Sequence, residues 1–226
     1  MAYQLHIANK NYSSWSLRPW VLLRELGIAF EEHMHPFGQG ESFYWFSPSG
    51  KVPCLHDGDN VVWDSLAIAE YVGEAHEGVW PRDMKARAWA RSAAAEMHSG
   101  FATLRQRCSM SCGVRIRLHE HPDALARDIA RIDALWSEGL RRFAGPFLAG
   151  PTFGAVDAFF APVAFRVQTY DLALGEPAAA YAQRLLELPS MRQWYAEALI
   201  EPWRDDDHEV ELREAGEWLA DLRVEA

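Results

Sequence analysis

At 226 residues, with 49% hydrophobic and 24% charged residues, the chain has the composition of a globular protein that can bury one large core or two small ones. Its net charge of −10, with no basic stripe, excludes the electrostatic footprint of a nucleic-acid binder. No apolar run approaches the roughly 18 residues needed to span a bilayer, so no membrane partner is expected. The three cysteines, Cys54, Cys108 and Cys112, lack both CxxC and Cys/His ligand spacing. They predict reduced thiols in the cytoplasm rather than a disulfide framework, and no metal site. Ten tryptophans are a surplus that suits a core, an apolar cleft or a subunit interface.

Residues 3–8 alternate enough to predict a first strand. Residues 16–27 predict a helix, with hydroxyls at its start, Pro19 in its first turn and Gly27 past its end. Residues 28–34 suit a second strand, and 36–50 a loop rich in glycine, serine and aromatics. Residues 53–55 and 61–63 predict two short strands joined by a turn containing Asp57-Gly58, with Pro53 at the strand start and a candidate for a cis bond. A helix over 65–75 follows. Gly78-Val79-Trp80-Pro81-Arg82 reads as a linker, after which the composition turns to Ala, Arg, Leu and Glu with helical period. Helices are predicted over 84–107, 121–143, 154–167, 178–187 and 190–199, with no further strand. Residues 201–226 hold ten Asp/Glu against three Arg and are expected to form a solvated terminal segment, with a fold-back near Trp203 or Trp218 as the alternative.

Several of these stretches form a recognisable set. Ser47-Pro48-Ser49-Gly50-Lys51-Val52-Pro53-Cys54-Leu55, then Asp64-Ser65-Leu66-Ala67-Ile68-Ala69-Glu70-Tyr71, resemble the strand-start and helix-start segments of the cytosolic glutathione S-transferases. Asn11-Tyr12-Ser13-Ser14-Trp15-Ser16-Leu17-Arg18 is similar to the active-site loop of their serine-type group, which includes the zeta class. The resemblance implies a thioredoxin-like glutathione-binding domain over 1–77, a linker over 78–85 and an all-helical domain over 86–226, an α/β part followed by an all-α part. It also implies a homodimer. Gly154 and Asp157 resemble the superfamily's helix-capping box, with Gly in place of Ser or Thr, so Asp157 is assigned to folding.

The residues suit that chemistry in their own right. A helix N-terminus offers unpaired N–H groups and a positive dipole end, which stabilise a thiolate over a thiol. From spacing alone, Ser13 and Ser14 cap the first helix. The resemblance makes Ser13 the first choice for catalytic serine and Ser14 the second. Trp15 occupies the position where zeta-like proteins carry cysteine, so chemistry through an enzyme mixed disulfide is not expected from this loop. The resemblance assigns Val52 to the cysteinyl backbone of glutathione, with Pro53 fixing that edge. Lys51 would reach the glycyl carboxylate, Ser65 the γ-glutamyl carboxylate and Asp64 the ammonium. Trp15, His98, Phe101, Arg105 and Tyr170 are acceptor-site candidates by fold analogy. The expected function is a glutathione transferase, with glutathione as co-substrate and no metal. The alternatives are a glutathione-dependent isomerase of a maleyl-type diacid and a non-catalytic glutathione or ligand binder.

Overall fold

Leu5 and Ile7, fully buried, anchor β1 (Tyr3–Ile7) at the centre of a four-stranded sheet. The computed structural model describes residues 2–40 and 42–224. The strand order is β2-β1-β3-β4, with β2 (Phe30–Met34) parallel to β1, and β3 (Cys54–Asp57) and β4 (Asn60–Trp63) forming an antiparallel hairpin beside it. A parallel pair needs a crossover, and α1 (Ser14–Glu25) supplies it. Gly58, at φ 58°, turns the hairpin, and α2 (Ser65–Ala75) leaves β4. This is the thioredoxin-like half expected from the sequence. Helix α1 begins two residues earlier than the hydroxyl pattern suggested, because Ser13 is its N-cap; Pro19 therefore lies in the second turn.

The second half is built on α6 (Ala155–Tyr170), which is apolar almost all round and accordingly buried. It packs on α1, α3 (Met84–Ser99) and α7 (Glu176–Glu187), while α5 (Asp123–Phe143) and α8 (Pro189–Leu199) complete the bundle. The capping carboxylate of α6 is fully engaged. Asp157 accepts the N–H groups of Gly154 and Leu148, both at 3.0 Å, and the Tyr181 hydroxyl at 2.7 Å. Burial pushes its carboxyl up to about 6 against the pull of those three bonds.

The structure corrects two expectations here. The helix predicted over 84–107 is broken into α3 and α4 (Ala102–Arg107), because Gly100 is extended and Phe101 sits at φ 57° in the left-handed region. A Cβ at Gly100 would lie 2.7 Å from the Glu96 carbonyl oxygen, so the crowded break requires glycine. The second half is also not wholly helical. The strands β5 (Val114–Leu118) and β6 (Gly216–Asp221) pair antiparallel, and with α9 (Asp206–Ala215) they fold the acidic tail back onto the bundle. The tail is held there by charge pairing rather than left solvated. The buried Arg223 guanidinium bonds Asp221 at 2.8 Å, Glu209 and the Tyr12 hydroxyl at 3.0 Å, while Glu201 accepts the Lys10 and Asn11 N–H groups at 2.6 and 3.1 Å.

Candidate functional site

Two cavities meet above the N-terminus of α1. The smaller, about 460 Å³, is walled by Trp15, Lys51, Val52, Pro53, Asp64 and Ser65, with Ser49 and Trp63 at its rim. The local sequence explains how these groups arrive. Gly50 turns at φ 64° with the Tyr44 ring 2.7 Å from where a Cβ would stand, so only glycine delivers Lys51 to this position. Residues 51–53 precede β3 and lie outside its ladder, and the Val52–Pro53 bond is cis. Asp64 caps α2 by accepting the Leu66 N–H at 2.8 Å, in a left-handed conformation at φ 75° that is uncommon for a residue with a side chain. Ser65, buried, is the first residue of α2. The smaller cavity therefore offers a free strand edge, a helix start, a carboxylate and an ammonium.

Behind this wall stands a charge with little compensation. Arg18 is buried, stacks 4.1 Å from the Trp15 ring centroid, and donates to Ser65 Oγ at 3.3 Å. Its Nε has no hydrogen-bond partner among the described residues. Burial and the nearby Arg105 and Arg166 hold its pKa well below the ordinary guanidinium range, with only Asp64 opposing. His98 lies between them. Nδ1 is 3.5 Å from Arg18 Nη1 and Nε2 is 3.4 Å from Asp64 Oδ2. Because Arg18 can only donate, Nδ1 accepts and Nε2 carries the proton toward the carboxylate. Desolvation, with Arg18 and Arg105, lowers the His98 pKa against the Asp64 charge.

The larger cavity, about 520 Å³, shares Trp15, Lys51 and Val52 with the first, so the two form one cleft. Ser13 and Ser14 lie on its floor. The Ser13 hydroxyl donates to Ser16 Oγ at 2.7 Å and accepts the Ser16 N–H at 3.4 Å. The Ser14 hydroxyl has no hydrogen-bond partner among the described residues. The far wall carries Arg105 from α4, Arg166 from α6, Met110, and His208 and Glu211 from α9. Arg166 is buried, donates to the Cys108 carbonyl at 2.7 Å, and is lowered to about 10 by burial and Arg105.

Of the five acceptor-site candidates, Trp15 and Arg105 line the cleft. The other three do not. Phe101 is buried at the α3–α4 break, and Tyr170 is buried with its hydroxyl on the Ser109 carbonyl at 2.7 Å. His98 stands behind the smaller cavity, against Asp64. Arg105 is partly committed, since its guanidinium bonds the carbonyls that end α3, with Gly100 at 2.9 Å and His98 at 3.2 Å. Cys54, Cys108 and Cys112 are buried and free; burial pushes Cys54 up to about 11 and Cys108 up to about 12, which removes them from nucleophilic chemistry. Sequence reasoning missed Arg166, whose signal was a single cation in an otherwise apolar helical run. It also missed His208 and Glu211, which lay in a stretch read as solvated. Among the described residues no group of His, Cys, Asp and Glu is placed to hold a metal ion, and no helix is long and apolar enough to cross a membrane.

The family model of the glutathione S-transferase N-terminal domain matches residues 12–75. Glutathione S-transferase 1 of Dianthus caryophyllus is 27% identical over 170 residues, covering 70% of this chain and 74% of its own. A zeta-class glutathione S-transferase of Euphorbia esula is 28% identical over 157 residues, covering 66% of this chain and 70% of its own. A glutathione transferase homologue from Burkholderia, solved with bound glutathione, superposes at a TM-score of 0.65 and 21% identity, covering 88% of this chain and 98% of that one. At that identity the superposition carries the fold.

Proposed function

We propose that the chain is a member of the glutathione S-transferase superfamily, that it binds glutathione in the smaller cavity and that it activates its thiol beside Ser14 for attack on an electrophile in the larger one. The observation that carries this reading is the convergence of the residue 51–53 edge, the Asp64-Ser65 helix start and the N-terminus of α1 on one continuous cleft. Val52 pairs with the cysteinyl backbone as an added strand, with Pro53 shaping that edge. Lys51 meets the glycyl carboxylate. Ser65 and the N–H groups of α2 hold the γ-glutamyl carboxylate, with Arg18 behind Ser65, and Asp64 takes the ammonium.

The thiol then lies over the start of α1. An unperturbed thiol titrates near 8.5, and each unit of lowering needs about 1.4 kcal/mol of preference for the thiolate. A hydrogen bond to the charged sulfur and the helix end are each of the right size. Ser14 reaches sulfur with no existing bond to break, whereas Ser13 does so only by giving up its bond to Ser16. The thiolate attacks an electrophilic carbon of the second substrate, assisted by proximity and with no metal in the step.

A second reading has one specific support. Arg105 and Arg166 on the far wall favour an acceptor with a carboxylate, as in isomerisation of a maleyl-type diacid by addition and loss of the thiolate. We further propose a homodimer. Trp63 (46% exposed) and Val61, with Leu66 and Ala67 of α2 beside them, form an apolar face that a second copy would cover. Free, buried cysteines suit the reducing cytoplasm, where we place the protein.

Calorimetric titration with glutathione, followed by turnover on a panel of aryl halides, activated alkenes and maleyl-type acids, tests the reading. Saturable binding with turnover is expected. Binding without turnover on any acceptor would leave a glutathione carrier instead, and no binding would remove the reading altogether.

A further inference from the structure

Helix α9 brings an imidazole to the cleft in a setting built to hold it. His208 lines the larger cavity together with Ser13, Ser14 and Lys51. Its Nδ1 is 2.6 Å from Asp205 Oδ2, and the same carboxylate caps α9 by accepting the His208 N–H at 3.3 Å. The ring is clamped between two aromatic faces, Tyr12 at 5.0 Å and Phe37 at 5.4 Å, tilted 22° and 19° from parallel. A carboxylate accepts, so the neutral ring carries its proton on Nδ1 and its lone pair on Nε2. Nε2 has no hydrogen-bond partner among the described residues. An imidazole oriented through Nδ1, with Nε2 unpartnered on a ring that lines the cleft, is the arrangement of a general acid–base residue.

We propose that His208 is the proton-transfer residue of this site, that Asp205 is its positioning residue, and that the acceptor they serve is an activated alkene, a carbon–carbon double bond conjugated to a carbonyl or carboxylate. The proposal deepens the transferase reading and rests on it. Nε2 takes the glutathione thiol proton, leaving the thiolate beside Ser14, and the thiolate forms the sulfur–carbon bond at the β-carbon of the alkene. The π pair of the alkene moves onto the α-carbon and its carbonyl, and the imidazolium returns the proton to that carbon, so the sum is addition of S–H across the double bond. An aryl halide uses only half of this cycle. Its halide leaves with the bonding pair and the proton goes to solvent, so the acid function of His208 is idle.

The charges around the ring set the conditions. Asp205, Glu209 and Glu211 come from its own helix, with Tyr12 from the loop before α1 and Lys51 from the loop before β3. Arg105, Arg166 and Arg223 complete the surroundings from α4, α6 and the segment after β6.

The test uses the full chain, wild type, His208→Gln and Asp205→Asn, with an α,β-unsaturated ketone and 1-chloro-2,4-dinitrobenzene as the two acceptors. Glutathione titration of the wild type comes first, and absence of binding there would overturn the reading beneath the proposal. With binding present, His208→Gln should lower kcat on the ketone by roughly a hundredfold, within the range of general acid–base catalysis. Its loss on the aryl halide should be at least tenfold smaller, and Asp205→Asn should fall between His208→Gln and wild type on the ketone. Equal losses on the two acceptors, or none on either, would overturn it. Should His208→Gln fail to fold, the wild-type pH profiles decide. A fall of ketone turnover on the alkaline side, where His208 no longer holds the proton it returns to carbon, that aryl halide turnover lacks supports the proposal, and identical profiles contradict it.

Discussion

The two halves of the cleft are built differently. The smaller cavity takes its chemistry from two short stretches, residues 49–53 and 63–65, joined by a hairpin, plus the start of α1. The larger cavity draws on the start of α1, the loops after β2 and α4, α4 itself, α6 and α9, which are separated by up to about two hundred residues. On the proposed reading the first would recognise a ligand through backbone groups and a helix start, and the second through side chains that only tertiary packing brings together. Glutathione recognition should therefore withstand changes that rearrange the acceptor wall, and substitution of the acceptor wall should alter acceptor choice while leaving the peptide site intact.

The strongest way to break that contrast is Arg223→Met. The guanidinium is buried between Glu209, Asp221 and Tyr12, and removing one partner of such a group leaves buried charge uncompensated, at a cost of about 3 kcal/mol. Hydrogen exchange should show α9 and β6 loosened and acceptor KM raised, with glutathione Kd held within about threefold. A parallel loss of glutathione affinity would mean the halves are one unit. Asp157→Ala leaves the Tyr181 hydroxyl and the Leu148 and Gly154 N–H groups without their acceptor. A loss of about 3 kcal/mol is expected by denaturant unfolding, more than a lone helix cap supplies. A loss under about 1 kcal/mol would show that those three groups re-pair elsewhere.

Ser14→Ala and Ser13→Ala sharpen the contrast at the seam between the halves. Losing a hydrogen bond to a charged atom costs about 1.5–3 kcal/mol, so Ser14→Ala should cut kcat by roughly tenfold to a hundredfold and raise the thiol pKa of bound glutathione, read by thiolate absorbance. Ser13→Ala should act mainly on stability, by about 1 kcal/mol, as loss of an N-cap. The reverse pattern would move the thiol donor to Ser13.

The smallest effect concerns the strand face. Burial, with His56, His35 and His33 nearby, lowers the His6 pKa to about 3. The unfolded chain takes a proton there near 6.5 while the folded one does not. Stability should therefore fall as pH drops from about 6.5 toward 3, and His6→Gln should flatten that slope. An unchanged slope would assign the acid sensitivity to other groups.

The contrast also explains what could be read in advance. Ser14–Glu25, Cys54–Asp57, Asn60–Trp63 and Ser65–Ala75 were legible because each is decided by local rules: a hydroxyl cap, a proline at a strand start, an Asp-Gly turn, a capping aspartate. Lys51, Val52 and Asp64 border those stretches and Ser65 opens one of them, so the residues proposed to hold the peptide were legible with them. The α3–α4 break was hidden because apolar periodicity runs through Gly100 and Phe101 while the backbone turns. The β5–β6 pair was hidden for a different reason. Val114, Ile116 and Leu118 alternate with Arg115 and Arg117, which is a strand signal, but the partner strand lies in the acidic tail, where Asp221 pairs with Val114. Charge counting favoured solvent for that tail over the fold-back near Trp203 or Trp218, whereas the structure folds it back through Trp218 and pairs its carboxylates with Arg223 and with the Lys10 and Asn11 amides. His208 and Glu211 were lost with it.

The most direct test of the central claim is calorimetric titration of glutathione into wild type and Ser65→Ala. Ser65 heads α2, faces the smaller cavity and contacts the buried Arg18, so its loss should weaken saturable binding about tenfold, roughly 1.4 kcal/mol. Equal affinity in the two proteins, or no binding by wild type at millimolar glutathione, would contradict the assignment of this cavity to the peptide.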